Sequence, residues 1–216
     1  MPNASTSPKP LRSDAQRNRD RIVASARELF AREGVDAPVE EITRCAGVGM
    51  GTLYRNFPTK EDLVDAVLAD AFDELVREAE RAVEQDDAWA GLTGFLEHAI
   101  ALHATNRGMK DMLDAHERGR ERAEAMRARI RPLMSRLVER AKEQGTLRAD
   151  FASEDVPLLF WASTRVIEAS VGVAPELWRR HLALMLDGMR AGSASALPAP
   201  PLTPTQLQRI SRGRAS

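Results

Sequence analysis

The chain has 216 residues, 43% of them hydrophobic and 29% charged, with a formal net charge of −1 at pH 7; this is the balance of a globular protein with a real core, neither disordered nor membrane-spanning. No apolar run approaches the roughly 18 residues needed to cross a bilayer, and the N-terminus lacks the apolar stretch of a secretory signal, so a cytoplasmic protein is expected. The single cysteine, Cys45, rules out an internal disulfide, stands at no metal-ligand spacing, and is read as a small core residue.

The near-neutral total hides a basic front: residues 9–32 hold Lys9, Arg12, Arg17, Arg19, Arg21, Arg27 and Arg32 against Asp14, Asp20 and Glu28. Residues 1–12, with Pro2, Pro8 and Pro10, are expected to form a disordered basic arm. Ser13 and Gln16 have capping-box spacing and open a first helix through Ile22, Ala26, Leu29 and Phe30, which Gly34 ends. Pro38 suits the first turn of a short second helix lined by Val39, Ile42 and Ala46. After Gly47-Val48 a third short helix is predicted over residues 49–57, with Leu53 and Phe57 four apart.

Thr59 and Asp62 form another cap pair, and a long fourth helix follows from Lys60 to about Glu84, its apolar strip running from Leu63 and Val64 to Ala79. Helices are predicted over residues 88–105, over a short segment after Asn106-Arg107-Gly108, and over residues 117–144, where Pro132 is expected to force a kink or a fresh start. Ser153 is expected to cap a helix reaching Val171, and Ala174 or Pro175 begins a last one ending near Gly192. Residues 193–216, rich in Ser, Ala and Pro, are expected to be a disordered tail. No strand pattern emerges, so the prediction is an all-α fold of about nine helices.

The second and third predicted helices, joined at Gly47-Val48, have the dimensions of a helix-turn-helix able to lay its second helix in the major groove. Within that frame the run Ile42-Thr43-Arg44-Cys45-Ala46-Gly47-Val48-Gly49-Met50-Gly51-Thr52-Leu53-Tyr54-Arg55-Asn56-Phe57-Pro58-Thr59-Lys60-Glu61-Asp62-Leu63 strongly resembles the DNA-binding signature of TetR-family regulators. The resemblance covers about residues 15–68. It departs from the pattern at Thr43, where a small alanine is usual, at Gly49, where a serine often caps, and at Asn56, where histidine is frequent. It implies a three-helix head over residues 13–63 and a ligand-binding and dimerisation body over residues 64–192, acting as a repressor on a palindromic operator.

Leu53 and Phe57 should lock against Ile42 and Ala46, which leaves Met50, Thr52, Tyr54, Arg55 and Asn56 facing outward or obliquely. Met50 and Thr52 suit base edges, Tyr54, Asn56 and Lys60 suit phosphates, and Arg55 suits either. The N–H groups at the Thr59-Lys60 helix start would add to that anion site, and Arg17, Thr43 and Gly49 complete the candidate DNA-contacting set. In family terms Tyr54 and Lys60 resemble the residues that grip the backbone.

For the body, the effector-site candidates are Phe95, Ile100, His103, Met109, Met112, Leu113, His116, Met126, Met134, Trp161 and Arg165; methionine lines adaptable pockets as readily as it fills cores. Phe160, Ile167, Trp178, Leu182, Met185 and Met189 are the candidate homodimer contacts, where the resemblance implies a four-helix interface. His98, His103 and His116 lack the i, i+4 partner of a helical metal site, so no metal or cofactor is expected. No phosphate loop, Gly-x-Ser-x-Gly elbow or catalytic Cys/His arrangement supports an enzyme. The expected partners are double-stranded DNA, an unidentified small-molecule effector and a second copy of the chain; a helical adaptor without DNA binding is the alternative. The long fourth helix is the natural lever between the two ends.

Overall fold

The computed structural model describes residues 11–105, 117–192 and 195–213, which form nine α-helices and one isolated bridge between Leu147 and Arg190. The first, α1 (Leu11–Glu33), buries Ile22, Ala26, Leu29 and Phe30 along one face, the stripe a 3.6-residue period predicts. It starts two residues ahead of the expected cap. Ser13 is thus inside the helix, and Gln16 donates its side-chain amide to Asp20 at 2.8 Å. Gly34, at φ 82, ends α1 with its N–H on the Phe30 carbonyl.

Short helices α2 (Val39–Ala46) and α3 (Met50–Asn56) follow, then the long α4 (Lys60–Glu84). In α4 the side chains of Leu63, Val67, Leu68, Ala71, Phe72, Leu75 and Ala79 are all buried. Around this strip pack α5 (Ala88–Thr105) and α6 (Glu117–Glu143) on one stretch and α1 on another, so head and body share one continuous core. The boundary expected between residues 63 and 64 therefore falls inside a helix that belongs to both. The helix α6 also continues unbroken across Pro132: one missing amide is not enough to stop a helix of 27 residues held on both sides by its apolar face.

After a 3₁₀ turn at Ser153–Asp155 come α7 (Val156–Ser170) and α8 (Leu177–Met189), packed on each other and on α5 around a smaller cluster of Ile100, Ile167, Trp178 and Leu182. At the end of the bundle away from α3, Arg140 donates to the Val83 carbonyl at 2.6 Å and the Gln85 carbonyl at 2.8 Å, while Gln144 bridges the Ala88 amide and the Asp86 carbonyl. One end of α6 thus satisfies the last carbonyls of α4 and the first amide of α5.

The tail departs from its expected disorder. Residues 204–213 form a ninth helix, α9 (Pro204–Gly213), with Leu207 buried. Proline at the first helical position costs no hydrogen bond, and Thr203 and Gln206 cap it reciprocally: Gln206 N–H donates to Thr203 Oγ1 at 3.3 Å and Thr203 N–H to Gln206 Oε1 at 2.8 Å. Upstream, Arg148 donates to the Ser195 carbonyl at 2.5 Å, and Asp150 accepts from both Arg148 and the Leu197 amide.

Those donors hold the Asp150 carboxyl down to about 2, from an ordinary 3.8, the Arg148 hydrogen bond first and the Leu197 amide second. A depressed carboxylate contributes stability that is complete above its unfolded value and is lost as pH falls through its folded one. Acidification from pH 4 toward 2 should therefore free the Ser195–Leu197 anchor. The rate of tail cleavage in limited proteolysis should rise across that window, and Asp150→Asn should abolish the step; an unchanged profile in the variant would assign the step elsewhere.

Cys45 is exposed rather than buried. Its eight-residue helix buries Ile42, Thr43 and Ala46, and position 45 projects about 100° away from their common direction. Among the described residues no helix is long and apolar enough to cross a membrane, and no three His, Cys, Asp or Glu side chains are grouped to hold a metal ion.

Candidate nucleic-acid interface

The turn between α2 and α3 is set by Gly47, at φ 62, whose N–H reaches the Arg44 carbonyl at 3.2 Å while Val48 N–H reaches Thr43 at 3.0 Å. This closing pattern needs a left-handed residue, where a side chain costs roughly 1–2 kcal/mol. A Cβ on Gly47 would also stand 2.5 Å from the guanidinium of Arg21, which donates to the Gly47 carbonyl. Gly49 caps α3 through its carbonyl, accepting from Thr52 at 2.9 Å.

Leu53 and Phe57, each 1% exposed, pack with buried Ile42 and Ala46 as expected. Turned outward on α3 are Gly49, Gly51, Tyr54 and Arg55, with Met50, Thr52 and Asn56 half-buried at the flanks and Lys60 half-buried at the start of α4. Two side chains lie along their own helix: Arg55 donates to the Gly51 carbonyl and Thr52 hydroxyl, and Asn56 to the Thr52 carbonyl at 2.8 Å. These bonds hold polar groups parallel to the outer surface of α3, where a duplex would exchange them for its own acceptors.

Three expectations change. Thr43 is buried; its hydroxyl donates to the Glu40 carbonyl at 2.8 Å and lies 3.6 Å from Met50 Sδ, so it packs against Met50 rather than facing outward. Two amides at the α4 start are less open to an anion than expected, because Asp62 N–H donates to Thr59 Oγ1 and the Asp62 carboxylate takes the Thr59 amide, both at 3.1 Å. Arg17 pairs with Asp14 on the surface of α1. It is Arg19 and Arg21 that α1 directs onto α2 and α3. Both stood in the basic front of the sequence, but charge density alone does not tell which arginine points inward.

The effector candidates are not brought together. Phe95, Met126 and Met134 pack in or against the main core, Ile100 belongs to the smaller cluster, and His103 meets Phe160 edge-on at 5.8 Å. Trp161 is half-buried and Arg165 is exposed and paired with Glu168 at 2.6 Å. Met109, Met112, Leu113 and His116 lie outside the described residues. A cleft of about 860 Å³ between α1 and α4, and one of about 540 Å³ beneath residues 197–201, are lined by none of the candidates.

Of the dimer candidates, Ile167, Trp178, Leu182 and Met189 are buried within the single chain, and Phe160 and Met185 are half-buried. Their apolar band is spent on α5 and on each other. The apolar side chains left exposed on and beside α8 are Val171, Val173, Leu177 and Leu184.

Residues 22–67 match the family of bacterial regulatory proteins described as the tetR family, and residues 87–191 match the C-terminal domain of SbtR-like transcriptional regulators. An HTH-type transcriptional regulator of Staphylococcus aureus (strain USA300) is 48% identical over 54 residues, 24% of this chain and 29% of its own length, so the match to such curated relatives spans less than a third of them. Solved structures extend further. A TetR transcription regulatory protein from Mycobacterium vanbaalenii is 32% identical, with a TM-score of 0.64 over 84% of this chain and 99% of that one. A TetR transcriptional regulator from Streptomyces coelicolor is 30% identical, with a TM-score of 0.63 over 80% and 98%.

Proposed function

From the premise that this chain belongs to the TetR family of transcriptional regulators, we propose that it is a cytoplasmic, homodimeric repressor that binds a palindromic operator and leaves it when a small molecule occupies the body. The observation that carries the reading is the split of α3: Leu53 and the adjoining Phe57 inward, Tyr54 and Arg55 outward, after two exposed glycines, Gly49 and Gly51, that keep the backbone at the start of the helix approachable. A helix so divided can enter a major groove without disturbing the core behind it.

Tyr54, Asn56 and Lys60 are assigned to phosphates, Met50 and Thr52 to base edges, and Arg55 to either. Dimerisation is assigned to the outer faces of α7 and α8, where Leu177 and Leu184 recur seven residues apart beside exposed Ala162, Arg165 and Ala169. The effector is assigned to the seam of α5, α7 and α8. There His103 rests on Phe160, and the fully buried Ser163 hydroxyl has no hydrogen-bond partner among the described residues, so it could pair with a polar ligand group. Release then requires that the effector prefer one of two dimer geometries.

Selection of the purified protein on a random duplex library at low and high salt tests the reading. It should enrich a palindrome whose binding weakens steeply with salt. Against that palindrome, Tyr54→Ala with Lys60→Ala should lower affinity about tenfold or more and flatten the salt dependence by about one counterion, with helix content unchanged. A folded, dimeric chain that enriches no sequence would overturn the assignment.

A further inference from the structure

The geometry points to Arg19 as a positioning residue that sets the tilt of α3, and through it sequence discrimination, without touching DNA. The inference rests on the DNA-binding reading above. Its guanidinium, part-buried, donates to the Asn56 carbonyl at 3.2 Å and lies 4.3 Å from the centre of the Phe57 ring. Both contacts fall on the last residue of α3 and its C-cap, 37 residues away in sequence. A cation at a helix C-terminus also meets the negative end of the peptide dipoles.

Apart from the buried Phe57 ring, on which Arg19 itself lies, this end of α3 has little else to fix it. The helix has seven residues and one buried side chain, Leu53, too few to hold an orientation by itself. The Phe57 N–H and the Asn56 amide bond back to α3's own carbonyls, Leu53 and Thr52, and so constrain it against nothing outside. On the adjoining side the packing gives way to the cleft of about 860 Å³, whose lining includes Arg19, Asn56, Phe57, Pro58 and Asp62. The guanidinium spans the rim of that space and ties the end of α3 to α1, which itself packs on α4.

The consequence is geometric. A helix this short is about 10 Å long, so a tilt of about 10° moves its far end by about 2 Å, well beyond the tolerance of a hydrogen bond. Contacts to base edges fail under such a shift, while contacts to phosphates, set by charge and long side chains, adapt. Loss of Arg19 should therefore weaken operator binding and leave non-specific binding alone.

Full-length Arg19→Met and Arg19→Lys are compared with the parent chain on the selected palindrome and on a scrambled duplex of the same composition, over a series of salt concentrations and below the melting temperature of each. Arg19→Met should lose about tenfold on the palindrome and less than about twofold on the scrambled duplex, with the same salt slope on both. Arg19→Lys, which keeps the charge but not the planar fork, should fall between. Equal losses on both duplexes with a shallower salt slope would make Arg19 a phosphate contact, and a lower melting temperature with unchanged discrimination would make it merely structural; either overturns the proposal. A parent chain that distinguishes no palindrome fails earlier and separately, at the regulator reading itself.

Discussion

Gly91→Ala should lower the free energy of unfolding by about 3 kcal/mol, an effect of overpacking large for the addition of one methyl group. Local propensity argues the other way, since alanine is favoured over glycine inside a helix by about 1 kcal/mol. The surroundings decide it. A Cβ on Gly91 would stand 2.5 Å from the Ala82 carbonyl oxygen, 3.3 Å from its carbon and 3.2 Å from a Leu137 methyl. Two of these atoms are backbone of α4 near its C-terminal end, and they can yield only if the α4–α5 crossing opens. Opening it would disturb buried Ala82, Val83, Ala88 and Leu92 together. Denaturant titration of the variant measures the change. A Gly91→Ala protein as stable as the parent would mean that the close approach of α5 to α4 is not required.

Leu182→Glu and Leu184→Glu, two residues apart on one helix, should fail in different ways. Leu182 is 3% exposed among Ile100, Ile167 and Trp178, so the variant both loses leucine packing and buries a carboxyl without a partner. Its cost should exceed about 4 kcal/mol and leave little folded protein. Leu184 is 62% exposed in the single chain and its substitution disturbs no internal contact of that size. If this face meets a second copy, Leu184→Glu yields a helical monomer in sedimentation velocity, and operator affinity collapses because the two half-sites are no longer held together. Retention of the dimer would move the interface away from the outer face of α8.

The same pair of leucines shows what a sequence can and cannot disclose. Periodicity marks α8 as apolar over more than one face, but it cannot say which face meets α5 of the same chain and which is left over. The candidate dimer residues Ile167, Trp178, Leu182 and Met189 therefore lie on the inner band, while Leu177 and Leu184 on the outer one stay exposed with α5 in place. The helices of the head, by contrast, were readable almost residue by residue. Gly34 and Gly47 stop α1 and α2, Thr59 with Asp62 starts α4, and Leu53 with Phe57 closes the lock.

Where local signals compete, reading was less secure. Thr43 stands in a segment that resembles a DNA-contacting one, yet threonine can also return its hydroxyl to the preceding turn, and here it does. The tail's prolines at 198, 200 and 201 obscured a start signal at Thr203, Pro204 and Gln206 of the same kind that marks α4. The tight fit at Gly91 has no counterpart in the sequence pattern, because nothing in one sequence reveals how near another backbone passes.

The anchorage of α4 has a further consequence, in angles. Twenty-five residues make a rod roughly 37 Å long, and Arg140 pins its end at Val83 and Gln85. A pivot there of about 5° would carry Lys60, and the start of the head, through about 3 Å, close to the axial rise of one base pair. If the rod pivoted as a rigid body about that far end, a rotation of the body by only a few degrees would correspond to a full register step along the duplex.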